Sequence, residues 1–385
     1  PGMTFSTASG VLSGSSEVGG NYVFSVTAGW QDLHQQAEVL TATQTYRLAI
    51  VPAYGNFAMV SVGEERTCAV TLSGGAKCWG NGQYGALGNG TTDNKLVPTD
   101  VTGLTSGVAV VSAGIGHSCA VTTSGAAKCW GRNNYGQLGV GNNTDSSSPV
   151  SVTGLSSGVK SISVGEFHTC AVLNSGAVKC WGYNNVGQLG TANNTTATSP
   201  ADVSGLSSGV ASITTGNSHT CAVLNGGTAK CWGAGANGRL GNGSNANRTS
   251  PIAVTSANAM TSDIKQMSAG NAYTCAVSNA GQAKCWGDNG YVQLLNVASG
   301  MTSVDAGFGH TCGINSAGGI QCAGSSSYGR IPTNAVAGYI SVSAYGAHTC
   351  AVTTRNRIKC WGYNNSGQLG DNSTVESSAG VYVKE

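Results

Sequence analysis

The sequence predicts an all-β chain, a seven-bladed β-propeller with a small separate β segment at its N-terminal end. Three features point there: one unit recurs seven times, fourteen cysteines fall into seven equally spaced pairs, and the apolar patterns are short strands without a helical period. The pairs are Cys68 with Cys78, Cys119 with Cys129, Cys170 with Cys180, Cys221 with Cys231, Cys275 with Cys285, Cys312 with Cys322 and Cys350 with Cys360, every one with a spacing of ten. First cysteines step by 51, 51, 51, 54, 37 and 38 residues.

The third repeat shows the unit. Residues 158–165 (GVKSISVG), 167–174 (FHTCAVLN) and 177–184 (AVKCWGYN) read as three short strands, and 199–203 (SPADV) as a fourth after a polar loop. Four short strands make one propeller blade. Whether the fourth belongs to its own blade or the next is open at this stage, so the end segment 380–384 (GVYVK) is a candidate for closing the ring against the first repeat.

Turn chemistry sets the register of the middle hairpin. With Cys119 opposite Cys129, residues 123–125 (TSG) form a three-residue loop ending in a left-handed bulge. The equivalent positions are Gly74, Gly125, Gly176, Gly227, Gly281, Gly318 and Asn356, the residue types that tolerate positive φ. Counting back places each cysteine pair at a non-hydrogen-bonded site, where Cα atoms approach to about 4.5 Å, within disulfide reach. Zinc sites space their cysteines two to four apart, so these are read as structural disulfides, one per blade. They imply an oxidising compartment, and chain entropy assigns each roughly 2–3 kcal/mol.

After the second cysteine come Trp-Gly, an Asn-rich turn and Gly-Gln-Leu-Gly, as in 130–139 (WGRNNYGQLG), 181–190 (WGYNNVGQLG) and 361–370 (WGYNNSGQLG), with variants at 79–88 and 232–241. Together with Ser-Ala-Gly-x-x-His-Ser/Thr before the first cysteine, this resembles the repeat of the regulator of chromosome condensation family, from about Phe57 to Glu385. The resemblance is to secreted, disulfide-bearing bacterial-type members, among which is a β-lactamase inhibitor. It implies a seven-bladed propeller that grips a protein through its loops. Two copies depart: the fifth reads WGDNGYVQLL over 286–295, and the sixth has Ala323 for Trp and lacks the Gly-Gln-Leu-Gly turn. Their shorter steps predict blades trimmed at the rim.

Residues 1–52 have no cysteine and alternate apolar positions at 1–5, 9–14, 20–28 and 45–51. They resemble the C-terminal strands of a bacterial immunoglobulin-like sandwich module. Such a module needs about seven strands, so a partial one implies completion by preceding polypeptide or by a strand donated from a neighbouring subunit. The expected division is therefore 1–52, partial immunoglobulin-like module, and 53–385, propeller.

Composition excludes several roles. Only 9% of residues are charged, the net charge is +2 and no Lys/Arg cluster exists, so nothing marks a nucleic-acid partner. No apolar run reaches the roughly 20 residues of a membrane helix. There is no Gly-x-Ser-x-Gly elbow, His-Glu-x-x-His or phosphate loop. Acidic residues are sparse and unrepeated. No cofactor and no metal are expected.

Three repeated side chains are candidates for more than packing. His117, His168, His219, His310 and His348 stand two residues before a cysteine, with Arg66 and Tyr273 in the same slot of other blades. That exchange favours a structural role, hydrogen-bonding the adjacent turn, over a metal or acid–base ring. Lys77, Lys128, Lys179, Lys230, Lys284 and Lys359, with Gln321 in the sixth repeat, precede the second cysteine. They are read as stems lying beside Trp between blades and set against a phosphate ring. The repeated tryptophans fit inter-blade packing better than sugar stacking; Trp30 lies outside the repeat. Sequons at 89–91, 194–196 and 372–374 fall in outer loops.

The resulting expectation is a non-enzymatic extracellular or cell-surface protein whose loops bind a protein or surface glycan. It stands against a secreted enzyme using the central funnel, and against a filament subunit assembled by strand donation or with copies of itself.

Overall fold

The computed structural model describes residues 56–288, 300–332 and 337–384, together with the backbone of four N-terminal strands. The chain falls into two units, Pro1–Gly55 and Asn56–Glu385. In the first, Met3–Ser6 pairs antiparallel with Val11–Gly14, and Gly20–Gln31 pairs with Val39–Ile50 along its whole length. The strand expected over 45–51 thus already starts at Val39. Trp30 falls on the third of these strands, and its side chain lies outside the described residues.

The second unit is a ring of seven antiparallel sheets with strands in chain order. Blade 3 runs Val159–Val164, His168–Leu173, Val178–Gly182 and Ala197–Asp202. Blades 1 to 4 and 7 have four strands, whereas blades 5 and 6 have three among the described residues. The fourth strand belongs to its own blade. This corrects the expectation for the end segment: Ser377–Tyr382 pairs with Ile358–Gly362 in blade 7, Tyr382 opposite Lys359, and no sheet in the ring mixes two repeats. Blade 7 meets blade 1 through bonds such as Phe57 N–H to Asn356 O (2.9 Å) and Val62 N–H to Ser343 Oγ (3.0 Å).

Each middle hairpin has the register its turn requires, Cys119 opposite Cys129 and Val121 opposite Ala127 in blade 2. All seven expected disulfides are formed, each within one blade. Cys68 is bonded to Cys78, Cys119 to Cys129, Cys170 to Cys180 and Cys221 to Cys231. Cys275 is bonded to Cys285, Cys312 to Cys322 and Cys350 to Cys360. Their Cα atoms stand 4.0–4.1 Å apart, somewhat closer than the 4.5 Å typical of a non-hydrogen-bonded pair. The seven bulge positions all have positive φ, from 59° at Asn356 to 82° at Gly125. At Gly125 a Cβ would also stand 2.8 Å from the Gly158 backbone nitrogen. Gly125→Ala is therefore expected to cost at least about 1–2 kcal/mol, read by chemical denaturation, while Asn356→Gly should be neutral or slightly stabilising.

The core lies between blades. Cys119, Cys129 and Leu138 of blade 2 pack with Val159, Ile162, Ala171 and Trp181 of blade 3. Disulfides thus face one neighbour and tryptophans the other, as their one-residue offset on a strand dictates. Trp130, Trp181, Trp232 and Trp286 donate Nε1–H to the third-last residue of the preceding blade's turn, at Ala86, Gln137, Gln188 and Arg239 O (2.9–3.1 Å). Trp79 does the same to Gln368 O at the ring closure (3.0 Å).

Candidate interaction face

The histidines form the second inter-blade bond, and their partner is not the adjacent turn. Nε2 of His117, His168, His219, His310 and His348 lies 2.8–2.9 Å from the hydroxyl of Thr169, Thr220, Thr274, Thr349 and Thr67, always on the next blade. Each Thr hydroxyl donates its one proton to a backbone carbonyl, Thr169 to Gln137 O (2.9 Å) for example. The imidazole must then donate, which assigns the Nε2–H tautomer. A side chain two residues before a cysteine stands at the strand's start, where the next blade is nearer than its own turn. Arg66 completes the ring by donating to Gly114 O (3.0 Å) and Ile115 O of blade 2.

The junction of blades 5 and 6 is bonded differently from the others. The fifth repeat lacks the Gly-Gln-Leu-Gly turn whose carbonyl serves elsewhere. Ala323 stands where Trp would need that carbonyl. Thr311 donates instead to Tyr273 Oη (3.0 Å), and Tyr273 O–H donates to His310 O (2.7 Å).

The lysine ammonium groups lie at the outer strands, and what each meets there varies from blade to blade. Among the described residues only Lys359 sits over its Trp, 5.4 Å from the ring of Trp361. Lys77 and Lys179 instead pair with Asp100 and Asp202 on their own outer strands (2.6 and 2.7 Å), and Lys128 reaches Ser151 Oγ (3.3 Å). A Lys two residues before Trp shares its face, but the outer strand brings an oxygen closer than the indole. Lys230 lies opposite Ala253, and Lys284 donates to Ala257 O. They point outward blade by blade and converge on no common site.

Antiparallel strands in chain order put the Gly-x-x-His loops and Asn-rich loops on one face of the disc, and the cysteine hairpins on the other. The loop face holds the unrepeated side chains. Tyr345 of blade 7 donates to Asn217 Oδ1 of blade 4 (2.8 Å), which places this bond across the axis, and Phe308 packs on Tyr345 (5.1 Å). Glu64 and Glu166 both lie in the Gly-x-x-His slot. Burial, then Glu65, raises the Glu64 pKa; burial, then Glu64, raises that of Glu166. A cavity of about 400 Å³ opens there between Glu64, Glu65, Phe308, Arg330 and Tyr363. The sequence offered no acidic pocket because these carboxylates do not repeat. Aligning the two residues before His would have revealed them.

Beside the axis, blades 1 to 3 gather an aromatic cluster. The Arg132 guanidinium lies 5.0 Å from the Tyr84 ring and 5.1 Å from Phe167, while Tyr135 contacts Tyr183 (4.4 Å) and Phe167 (5.3 Å). Tyr84 is exposed and the other four are half-buried. These come from three different loop positions, so no motif announced them. Among the described residues no group of His, Cys, Asp and Glu could hold a metal ion, and no helix is long and apolar enough to cross a membrane. The sequons lie in the Asn-rich loops, with Asn194 and Asn372 exposed.

Fold and interfaces together define a seven-bladed β-propeller knit by inter-blade Trp and His bonds. The profile of the regulator of chromosome condensation (RCC1) repeat matches residues 74–121, 125–172, 175–223 and 228–277, and a second profile of that repeat matches 108–137, 159–188, 210–239, 264–293 and 339–368. The chain belongs to the RCC1 repeat family. It is 39% identical over 197 residues to the ultraviolet-B receptor UVR8 of Arabidopsis thaliana, covering 50% of this chain and 44% of the receptor. It is 36% identical over 200 residues to the probable E3 ubiquitin-protein ligase HERC4 of Homo sapiens, covering 51% of this chain and 19% of the ligase. The chain thus spans less than half the length of these curated relatives. Among solved structures, Prp20p of Saccharomyces cerevisiae, studied for binding to Gsp1p and histones, superposes with a TM-score of 0.70 at 18% identity, over 82% of this chain and 87% of that one. The entire ectodomain of the receptor kinase CR4 from Physcomitrella patens matches with a TM-score of 0.52 at 21% identity, over 79% and 73%. Both share the fold.

Proposed function

We propose that this chain works outside the cell or at its surface as a non-enzymatic binding disc whose loop face grips a protein or glycan. The carrying observation is the Tyr84, Arg132, Tyr135, Phe167 and Tyr183 cluster. Tyr and Arg dominate binding hot spots, Tyr because it buries a large area with only two torsions to freeze and Arg because its planar guanidinium stacks on aromatic faces and presents a fork of donors. Seven disulfides, one per blade, suit an oxidising compartment. The test applies the labelled, oxidised chain to intact cells and a glycan array. Tyr135→Ala with Tyr183→Ala is expected to weaken saturable binding at least tenfold, about 1.4 kcal/mol, with an unchanged melting temperature. Undiminished binding by a folded variant would refute use of this face.

A second reading, an enzyme in the funnel, is supported by Glu64, a raised carboxyl beside Glu65 at a cavity. Polysaccharide hydrolysis lost in Glu64→Gln would establish it in place of the first. For residues 1–52 we retain the partial immunoglobulin-like module. Its two-stranded ribbons are marginal alone, which supports completion by further strands, including strands from another copy.

A further inference from the structure

We propose that the rim of blade 6 is a strand-acceptor site: the open edge of Ile320–Gly324 takes an extended, uncharged Ser/Thr-Ser-Pro-aliphatic segment from a partner polypeptide. Among the described residues no strand pairs with that edge, and the connector that follows it is short. Between Gly182 and Gly209 of blade 3 lie 26 residues, including the outer strand Ala197–Asp202; between Gly324 and Gly338 lie 13. Residues 325–332 form no strand, and only 333–336 fall outside the described residues, fewer than the six of an outer strand.

Exposure agrees. The third strand of blade 3 is buried at Cys180 and Gly182 and half-buried at Lys179, whereas Cys322 and Gly324 are half-buried and Gln321 is exposed. In blade 2 the first residue of this strand is tied to the connector, Ala127 N–H to Leu155 O (2.9 Å) and Val152 N–H to Ala127 O (3.1 Å). Ile320 has no such bond among the described residues.

The edge is also unguarded. Natural sheets protect edges with Pro or charge. Here Pro98, Pro149, Pro200 and Pro251 lie in the outer strands of blades 1 to 4, and every other complete or trimmed third strand carries Lys. Ile320–Gly324 has neither, with Gln321 in the Lys position.

The molecule itself shows what fits. Ser146–Ser151 (SSSPVS), Ala197–Asp202 (ATSPAD) and Arg248–Ala253 (RTSPIA) lie on the corresponding edges. Their fifth residue, aliphatic in each, faces the second cysteine, and their sixth faces Lys. With Gln321 replacing Lys, an Asp at the sixth position loses its ion-pair partner, so a neutral residue is preferred. The cysteine pair occupies a non-hydrogen-bonded site within the hairpin, so the N–H and C=O of Cys322 point outward, available for main-chain pairing.

The test uses the oxidised full chain and a capped peptide of sequence Ser146–Val152. Saturable binding is expected, with amide exchange slowed at Cys322 and Gly324. Binding should be at least tenfold tighter than for the same peptide N-methylated at Val150, and tighter than for the Ala197–Val203 peptide with its Asp. No binding while these amides exchange freely would overturn the proposal. So would amides already protected in the chain alone; sedimentation would then show whether a second copy covers the edge. None of these outcomes bears on the loop face.

Discussion

Reducing all seven disulfides is expected to lower the melting temperature of the propeller by on the order of 20 °C or more. Each bond closes a short loop, worth roughly 2–3 kcal/mol by the chain-entropy estimate, and together they rival the 5–15 kcal/mol that typically separates folded from unfolded chains. The sulfurs also fill the apolar layer between blades, where Cys119 and Cys129 touch the cluster around Trp181. Reduction thus loosens the hairpins and leaves thiols in positions shaped for a bond. Calorimetry on protein reduced in denaturant and refolded, against the oxidised form, reads the effect; transitions within a few degrees of each other would contradict it. Order matters as well. Cys68, Cys119, Cys170, Cys221 and Cys350 are fully buried together with their partners Cys78, Cys129, Cys180, Cys231 and Cys360, whereas Cys322 is half-buried. Mild reductant should therefore open the bond between Cys312 and Cys322 first, detectable by alkylation and mass spectrometry. Free thiols throughout the native protein would remove the case for an oxidising compartment.

Acid should unfold the ring well before ordinary carboxylates are fully protonated. The histidines are wholly buried, and burial pushes His168, His219, His310 and His348 down to about 3, with His117 also well below its usual value. Nε2 already donates, and Nδ1 of His117, His168, His219 and His310 finds no hydrogen-bond partner among the described residues, so a second ring proton on these four would be buried without an acceptor. A lowered folded pKa means the unfolded chain binds more protons between about pH 6.5 and 3. Stability is then fully present above 6.5 and falls as pH drops through that window. One unit below 6.5 each histidine costs about 1 kcal/mol, several for the set. Glu64, Glu166 and Asp305, raised chiefly by burial, act in the opposite sense, losing stability as pH rises past the ordinary carboxylate range, and so cushion the acid limb. The melting temperature should fall continuously from pH 7 to 5, and His168→Gln should flatten that slope by close to one proton. A melting temperature independent of pH over this range would show that the rings are not held neutral.

Local rules were legible in the chain because they act within a hairpin. The spacing of ten, the Gly or Asn at the bulge and the Cys-to-Cys register all follow from turn geometry and strand alternation. The assignment of Trp to inter-blade packing followed from its fixed place in the repeat. Partners across blades are less legible: the place of His117 two residues before its cysteine points to the adjacent turn, while its partner Thr169 stands on the next blade, because sequence offset does not say which neighbour is nearer.

Repetition by itself determined the propeller, its seven blades and its hairpin bonds, since each depends on contacts a few residues apart that recur with the unit. Tertiary structure alone decided what is unique on the disc. Tyr345 reaches Asn217, and Arg132 settles between Tyr84 and Phe167 only because ring closure brings different repeats to one axis and one face. The physical reason is that a repeat encodes what its copies share, while a binding surface is built from the positions at which they differ.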